Sequence, residues 1–340
     1  MSKILTIAIP NYNGGERLRR AILSCHYIKL NPEEFEILIV DNHSTDDSVK
    51  IINSLKKEFN NIRLIINEKN IGRVENWNRC LDLIDGKYFL FLFSSDEIAQ
   101  NNYIEEGIDF LEKNNDISLV MGDVLFNYPE KKTISPNYGK SFTVNIEDYI
   151  KKTFIGLKDF CSLFILQQQI FCTKVVKDNK IKFCSDHPRT ADRVFIFEVI
   201  KNGNGYFFYL PKVFIVWNLE KERFHNKVHN SSQKDLDILW GDEFWADNYI
   251  LSKIGINKKN IYINFISYFL LEELSVLKNF RMKQYKKELS PGYSYFKSKY
   301  KEKLKFFDLC LICNNIFRTL LLKFKIKINR DKFYQSYFRV

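Results

Sequence analysis

The sequence predicts an α/β fold: a mixed, mainly parallel sheet flanked by helices, with a helical extension at the C-terminus. Three observations carry this expectation. Uninterrupted apolar runs alternate with helical spacings through residues 3–93, polar clusters follow directly on three of those runs, and positive charge gathers in residues 281–340. Continuous apolar strands separated by helices indicate a parallel sheet covered on both faces. Binding sites in such sheets lie just beyond the carboxyl ends of the strands.

Lys3–Pro10 is the first apolar run, closed by Asn11-Tyr12-Asn13-Gly14-Gly15. Glu16–Ile28 then repeats apolar residues at Leu18, Ala21, Ile22 and Cys25, which predicts a helix. Glu36–Val40 is the second strand, ending at Asp41-Asn42, and Ser44 and Thr45 are suited to cap a helix carrying Val49, Ile51, Ile52 and Leu55. Arg63–Ile66 is a third strand, Val74–Ile84 a third helix, and Lys87–Phe93 a fourth strand running into Ser94-Ser95-Asp96-Glu97. Later, Val194–Ile200 has the character of an apolar helix, and Tyr209–Trp217 is an extended apolar run.

Three strand tips therefore bring polar residues to one edge: Pro10 to Asn13, Asp41 to Ser44, and Ser94 to Glu97. Each alone reads as an ordinary turn or cap; three together mark a crevice. A carboxylate at Asp41 is suited to accept imide or amino hydrogens of a nucleobase, with the Tyr12 ring beside it. Asp96 and Glu97 leave a very apolar strand, and hard oxygen ligands there suit Mg²⁺ or Mn²⁺ bridging a diphosphate.

These motifs, IAIPNYN, ILIVDNHSTDDS and NEKNIGRVENWNRCLDLIDGKYFLFLFSSDE, resemble in order those of a family 2 inverting glycosyltransferase of the GT-A fold, the kind that builds bacterial surface polysaccharides such as O-antigen and capsule. The resemblance covers about residues 3–232. It implies a nucleotide-binding half over 1–123, an acceptor half over 124–232 and a separate helical region over 233–340. It also implies that Pro10, Asn11, Tyr12 and Asp41 hold the base and ribose, with Asn42 and Ser44 nearby. The Asn70-Ile71-Gly72 turn and the Asn76-Trp77-Asn78 helix would line the nucleotide and donor-sugar side. The family's acidic metal motif, Asp-x-Asp-Asp, falls on Phe93, Ser94, Ser95 and Asp96, so only the last acid is kept and Glu97 adds a carboxylate one place later. The metal set implied is Asp96, Glu97 and His229 with Mn²⁺ or Mg²⁺, and Ser95 and Asp96 would face the nucleotide.

Thr190-Ala191-Asp192-Arg193 resembles the family element that opens the helix beneath the acceptor, which makes Asp192 the candidate base; a helix N-cap is the alternative reading, and Asp186 is the fallback. His225, His229, Ser231 and Ser232 loosely match an element that folds over the diphosphate, with a solvated loop as the alternative. The implied reaction moves a sugar, hexosyl or N-acetylhexosaminyl, from a nucleoside diphosphate with UDP favoured, to a saccharide acceptor on a lipid carrier. A non-catalytic nucleotide-sugar-binding or assembly protein of the same fold is the alternative.

The chain has 340 residues and a net charge of +11, yet residues 281–340 alone hold 16 Lys/Arg and 4 Asp/Glu, a net of +12. Lys interleaves there with Phe, Leu and Ile, which predicts basic amphipathic helices lying on an anionic bilayer, or packing against a second subunit. No nucleic-acid recognition module accompanies this charge. No uncharged apolar run is long enough to span a bilayer, no charged leader precedes an apolar signal segment, and seven scattered cysteines fit a reducing compartment. The expectation is a cytoplasmic protein, peripheral on the inner membrane face.

Overall fold

A computed structural model describes residues 3–127, 132–153, 165–218, 245–246 and 249–255. The chain divides into two compact units, Met1–Asp148 with Cys161–Phe224, and Tyr149–Phe160 with His225–Val340.

In the first unit, β1 (Leu5–Asn11), β2 (Phe35–Asp41) and β3 (Ile62–Ile66) alternate with helices α1 (Gly15–Ser24), α2 (Ser48–Leu55) and α3 (Arg73–Leu83), and lead to β4 (Tyr88–Phe91). Every residue of β2 is buried, as the uninterrupted run FEILIVD requires of a strand covered on both faces. The predicted stripe of α1, Leu18, Ala21, Ile22 and Cys25, is fully buried against this sheet. α2 starts later than its sequence suggests, with Asp47 at the cap position. Ser44 does not cap it, because its hydroxyl is drawn to the carboxylate of Asp41.

The next elements are β5 (Asp96–Ile98), α4 (Tyr103–Lys113), β6 (Leu119–Asn127), β7 (Lys132–Ser135), β8 (Phe142–Asn145), α5 (Ile146–Thr153), β9 (Gln169–Cys172), α6 (Thr173–Asp178), α7 (Ala191–Asn202) and β10 (Tyr206–Asn218). The strands form one sheet in the order β3-β2-β1-β4-β9-β6-β10-β5, with β7 on β6 and β8 on β10. Pairs β1/β2, β1/β4, β2/β3 and β6/β10 are parallel and carry most of the paired residues. β9 runs antiparallel to both β4 and β6, joining the parallel N-terminal half to the rest. The mixed, mostly parallel sheet with flanking helices is the architecture expected.

A column of rings fills the face under α3 and α7: Phe89 stacks on Phe171 with centroids 5.0 Å apart, and Phe183 on Phe195 at 4.1 Å. In the second unit, Tyr249–Lys253 is helical, within the helical region expected over 233–340. There the Trp245 and Tyr249 rings stack at 5.5 Å, and Ala246, Ile250, Leu251 and Ile254 are buried. The basic helices expected within residues 281–340 lie outside the described residues. Among the described residues, no helix is long and apolar enough to cross a membrane.

Candidate functional site

The register of the sheet places the strand tips side by side. Asn11 at the end of β1 pairs with Asp41 at the end of β2, and Asp41 with Ile66 at the end of β3. The chain after β1 turns through Gly14, where an added Cβ would lie 2.3 Å from Asn11 Oδ1 and 3.1 Å from Ser94 Cβ. That turn is wedged between the tips of β1 and β4, and only a glycine fits it. The three polar clusters do meet at one edge.

Asp41 is completely buried. Its Oδ1 accepts from Asn11 Nδ2 at 2.7 Å and from Ser44 Oγ at 2.6 Å, and its Oδ2 from the Ser44 amide at 2.8 Å. The sequence suggested a carboxylate turned to a base. In the structure three protein donors hold it, so it braces the two tips against each other. Ser44 Oγ in turn accepts from the Asn13 amide, and Asn13 Oδ1 from the Thr45 amide. Tyr12, between Asn11 and Asn13, is 51% exposed and offers an open aromatic face at this edge. Pro10, one residue back, is half-buried and pairs with Val40.

A run of amides continues from Asn42. Its Oδ1 accepts from the Ile71 amide at 2.9 Å and from Asn67 Nδ2 at 3.0 Å, while its Nδ2 donates to Asn70 Oδ1 and the Gly72 carbonyl. Asn67 also donates to Asn76 Oδ1 at 2.8 Å, and Asn76 donates to the Val40 carbonyl. Gly72, with φ +88°, makes the turn into α3 in a conformation that glycine alone adopts without strain. Asn42, Asn70, Gly72 and Asn76 are thus one network at the tips of β2 and β3. Asn67 belongs to it as well, and its place two residues from Ile65 on an apolar run was the signal that could have found it.

At the third tip, Asp96 is 1% exposed. Its Oδ2 accepts from Gln167 Nε2 at 3.1 Å and its Oδ1 from Ser95 Oγ at 3.2 Å. Gln167 escaped the sequence reading; its signal is a run of three glutamines opening the otherwise apolar β9 segment. Asp96 and Glu97 are consecutive residues of β5, so their side chains leave opposite faces of the sheet. Glu97 is half-buried, accepts from Asn218 Nδ2 at 2.8 Å and lies 3.7 Å from Arg20. It does not share a ligand shell with Asp96 in the way the sequence suggested. Phe93, standing where the resemblance places an acid, stacks on Trp77 at 5.3 Å. Among the described residues no three His, Cys, Asp or Glu groups cluster as metal ligands. His225, His229, Ser231 and Ser232 lie outside the described residues.

Asp192 is the second residue of α7, half-buried, with Oδ1 accepting from the Arg193 amide at 2.9 Å. A carboxylate in the first turn lies in the favourable field of the helix N-terminus. Thr190, not Asp192, occupies the cap position. Asp186 is exposed in the loop before it.

Residues 6–171 match the glycosyl transferase family 2 pattern. An uncharacterized glycosyltransferase of Haemophilus influenzae is 26% identical over 270 residues, spanning 76% of this chain and 77% of its own length. The poly(ribitol-phosphate) β-N-acetylglucosaminyltransferase TarP of Staphylococcus aureus is 25% identical over 264 residues, spanning 77% and 75%. Among solved structures, S. aureus TarS 1–349 in complex with UDP-GlcNAc superposes with a TM-score of 0.58 at 14% identity, covering 93% of this chain and 80% of that one. The mannosyltransferase PcManGT of Pyrobaculum calidifontis, in complex with GDP-Man and Mn²⁺, gives 0.52 at 11% identity, covering 99% and 83%. At such identities the structures establish the fold, which is the GT-A arrangement.

Proposed function

We propose that the chain is a family 2 glycosyltransferase, the reading that the match over residues 6–171 supports, and that it transfers a sugar from a UDP-sugar to a saccharide acceptor with inversion, Asp192 acting as the base. The observation that carries the reading is the meeting of three polar strand tips at one sheet edge, with the open Tyr12 ring beside the braced Asn11–Asp41–Ser44 set. Tyr12 presents a face on which a base stacks. The Asn42–Asn67–Asn70–Asn76 network fixes the Gly72 turn, where an exposed main chain allows close approach of the donor. UDP is favoured because TarS was crystallised with UDP-GlcNAc and with UDP. Inversion is favoured because two relatives are named for β-linkages, the outcome of inverting an α-linked donor.

In the proposed step, the acceptor hydroxyl gives its proton to the Asp192 carboxylate as its oxygen bonds to the anomeric carbon. The bond from that carbon to the diphosphate oxygen breaks on the opposite face, and the pair of electrons leaves with UDP. Asp96, buried beside Ser95 and Gln167, is the carboxylate proposed to take a divalent metal arriving on a diphosphate, since such ions take one or two carboxylates and complete their shell from phosphates and water. Mn²⁺ or Mg²⁺ held there would offset charge on the departing diphosphate. The +12 of residues 281–340 supports an acceptor carried on a membrane lipid and work at the cytoplasmic face, for surface-glycan synthesis.

UDP release from a panel of UDP-sugars, with isolated surface glycans as acceptors, tests this. Asp192→Asn should keep UDP affinity and lose about 10²–10⁴ in turnover. Near-normal turnover in that variant would remove Asp192 as base. Binding of UDP-sugars with no turnover on any acceptor would favour the non-catalytic reading, to which the loss of acids at Phe93 and Ser95 already gives some weight.

A further inference from the structure

Helix α3 does more than end the amide network of the nucleotide edge. Glu75, Asn78 and Asp82 recur at helical spacing along it, and each reaches the segment that precedes α7. Asn78 makes the closest fit: its Nδ2 donates to the Phe183 carbonyl at 3.1 Å, and its Oδ1 accepts from the Phe183 amide at 2.8 Å. One side chain thereby satisfies both main-chain groups of a residue 105 positions away. Lys182 pairs with Asp82, the Ser185 hydroxyl donates to Glu75, and Arg73 donates to the Pro188 carbonyl. The last three contacts are exposed, and exposed pairs contribute little. The Asn78 pairing is partly buried, where a stranded amide or carbonyl is costly.

Phe183 carries the tie further. Its main chain is held by Asn78, while its ring stacks on Phe195 of α7 at 4.1 Å and meets the edge of Trp77 at 5.3 Å. Phe195 lies one turn beyond Asp192 on the same helix. The other stripe of α3 is fixed to the nucleotide edge through Asn76, which donates to the Val40 carbonyl, and through the Gly72 carbonyl, which accepts from Asn42. A single helix thus links the Gly72 turn, through Phe183, to the helix that carries Asp192 in its first turn.

We propose that Asn78 is a positioning residue: through Phe183 and Phe195 it sets where Asp192 stands relative to a donor seated at the Gly72 turn. The inference rests on the reading of Asp192 as the base. Resemblance placed Asn78 on the donor side of the crevice; the structure commits its side chain to the Phe183 main chain instead.

The test is a double-mutant cycle on the full chain, with Asn78→Ala, Asp192→Asn and the two combined. UDP binding is read by calorimetry, turnover by UDP release with the donor that the UDP-sugar panel selects, and main-chain exchange by mass spectrometry over 181–195. Asn78→Ala should keep UDP affinity within about twofold, speed exchange at Phe183, and reduce turnover about 10–10²-fold, the scale of a misplaced reacting group. Combined with Asp192→Asn it should cost nothing further, because a base already removed cannot be mispositioned. Asn78→Asp, which keeps the acceptor for the Phe183 amide, should recover part of the turnover and guards against a variant that merely fails to fold. Losses that multiply in the combined variant, or UDP affinity falling in step with turnover, overturn the proposal. If Asp192→Asn alone turns over normally, it is the reading of the base that has failed; slow Asp192→Asn with multiplying losses sinks the positioning role by itself.

Discussion

Removing the Asp41 carboxylate tests whether this edge is built as the hydrogen bonds indicate. Asp41→Ala strands three donors: Asn11 Nδ2, the Ser44 amide and the Ser44 hydroxyl, now at 2.7, 2.8 and 2.6 Å from the carboxylate. A buried donor left without its partner costs about 1–3 kcal/mol, more where the partner was charged. The Ser44 oxygen keeps the Asn13 amide as its donor at 2.9 Å, but the hydroxyl hydrogen loses its acceptor. Relief from burying a carboxylate offsets part of the rest. The net loss should be about 2–4 kcal/mol, read as a shift in urea midpoint at constant slope. UDP affinity, measured by calorimetry on the folded variant, should fall roughly tenfold as the tips of β1 and β2 part. Ser44→Ala separates bracing from contact, since it leaves the carboxylate in place while removing one donor to it. If bracing is the role, Ser44→Ala weakens UDP in proportion to its own loss of stability. A urea midpoint for Asp41→Ala indistinguishable from the parent would refute the bracing argument. Lost UDP affinity confined to Asp41→Ala, with Ser44→Ala normal in affinity though destabilised, would return Asp41 to direct contact with the base.

What the sequence showed clearly was whatever repeats with a local period. The runs Lys3–Pro10 and Glu36–Val40 announced two buried strands, and the spacing of Leu18, Ala21, Ile22 and Cys25 announced the buried side of α1. The strand tips could be located because each run stops at polar residues, and parallel neighbours must then end together. Pairings between distant segments left no such trace. Gln167 reaches Asp96 across 71 positions, and Asn78 reaches Phe183 across 105, yet in their own neighbourhoods both look like ordinary polar residues. β4 was expected to run to Phe93 but ends at Phe91, because the Asp96 amide turns back to the Phe93 carbonyl and starts β5. That short strand exists only through its ladder with β10, more than 110 residues on, so local propensity could not reveal it. It also decides the fate of Glu97: once Asp96 turns to Gln167 from within a strand, its neighbour leaves the opposite face.

Three further outcomes follow. Asp96→Ala should abolish the part of UDP binding that depends on Mn²⁺ while leaving metal-free binding; calorimetry with and without Mn²⁺ decides it, and an unchanged metal dependence removes Asp96 as the ligand. Gly86→Ala should destabilise the chain by about 3 kcal/mol or more, because a Cβ there would lie 2.5 Å from the Thr6 amide nitrogen and 2.7 Å from the Tyr88 carbonyl oxygen, both main-chain atoms of the β1/β4 ladder; a melting temperature equal to the parent's would show that the ladder is looser than drawn. The last concerns Asp123, a carboxylate 3% exposed in the middle of β6. Burial pushes its carboxyl above the usual value of 3.8, only partly countered by the Tyr209 hydroxyl and the Asn137 amide, which both donate to its Oδ1, at 2.7 and 2.9 Å. Because the folded value is the higher one, the unfolded chain releases this proton first as pH rises. Between the two values the unfolded state therefore binds fewer protons, and stability falls with increasing pH until the folded-state carboxyl has also ionised. Asp123→Asn keeps an oxygen for Tyr209 and Asn137 but has nothing to ionise. Relative to the parent it should gain stability as pH climbs from below 4, with the difference levelling above the folded value. Urea unfolding across that range gives the two curves; if they run parallel, Asp123 pays no ionisation cost in the folded protein and the argument from its burial fails.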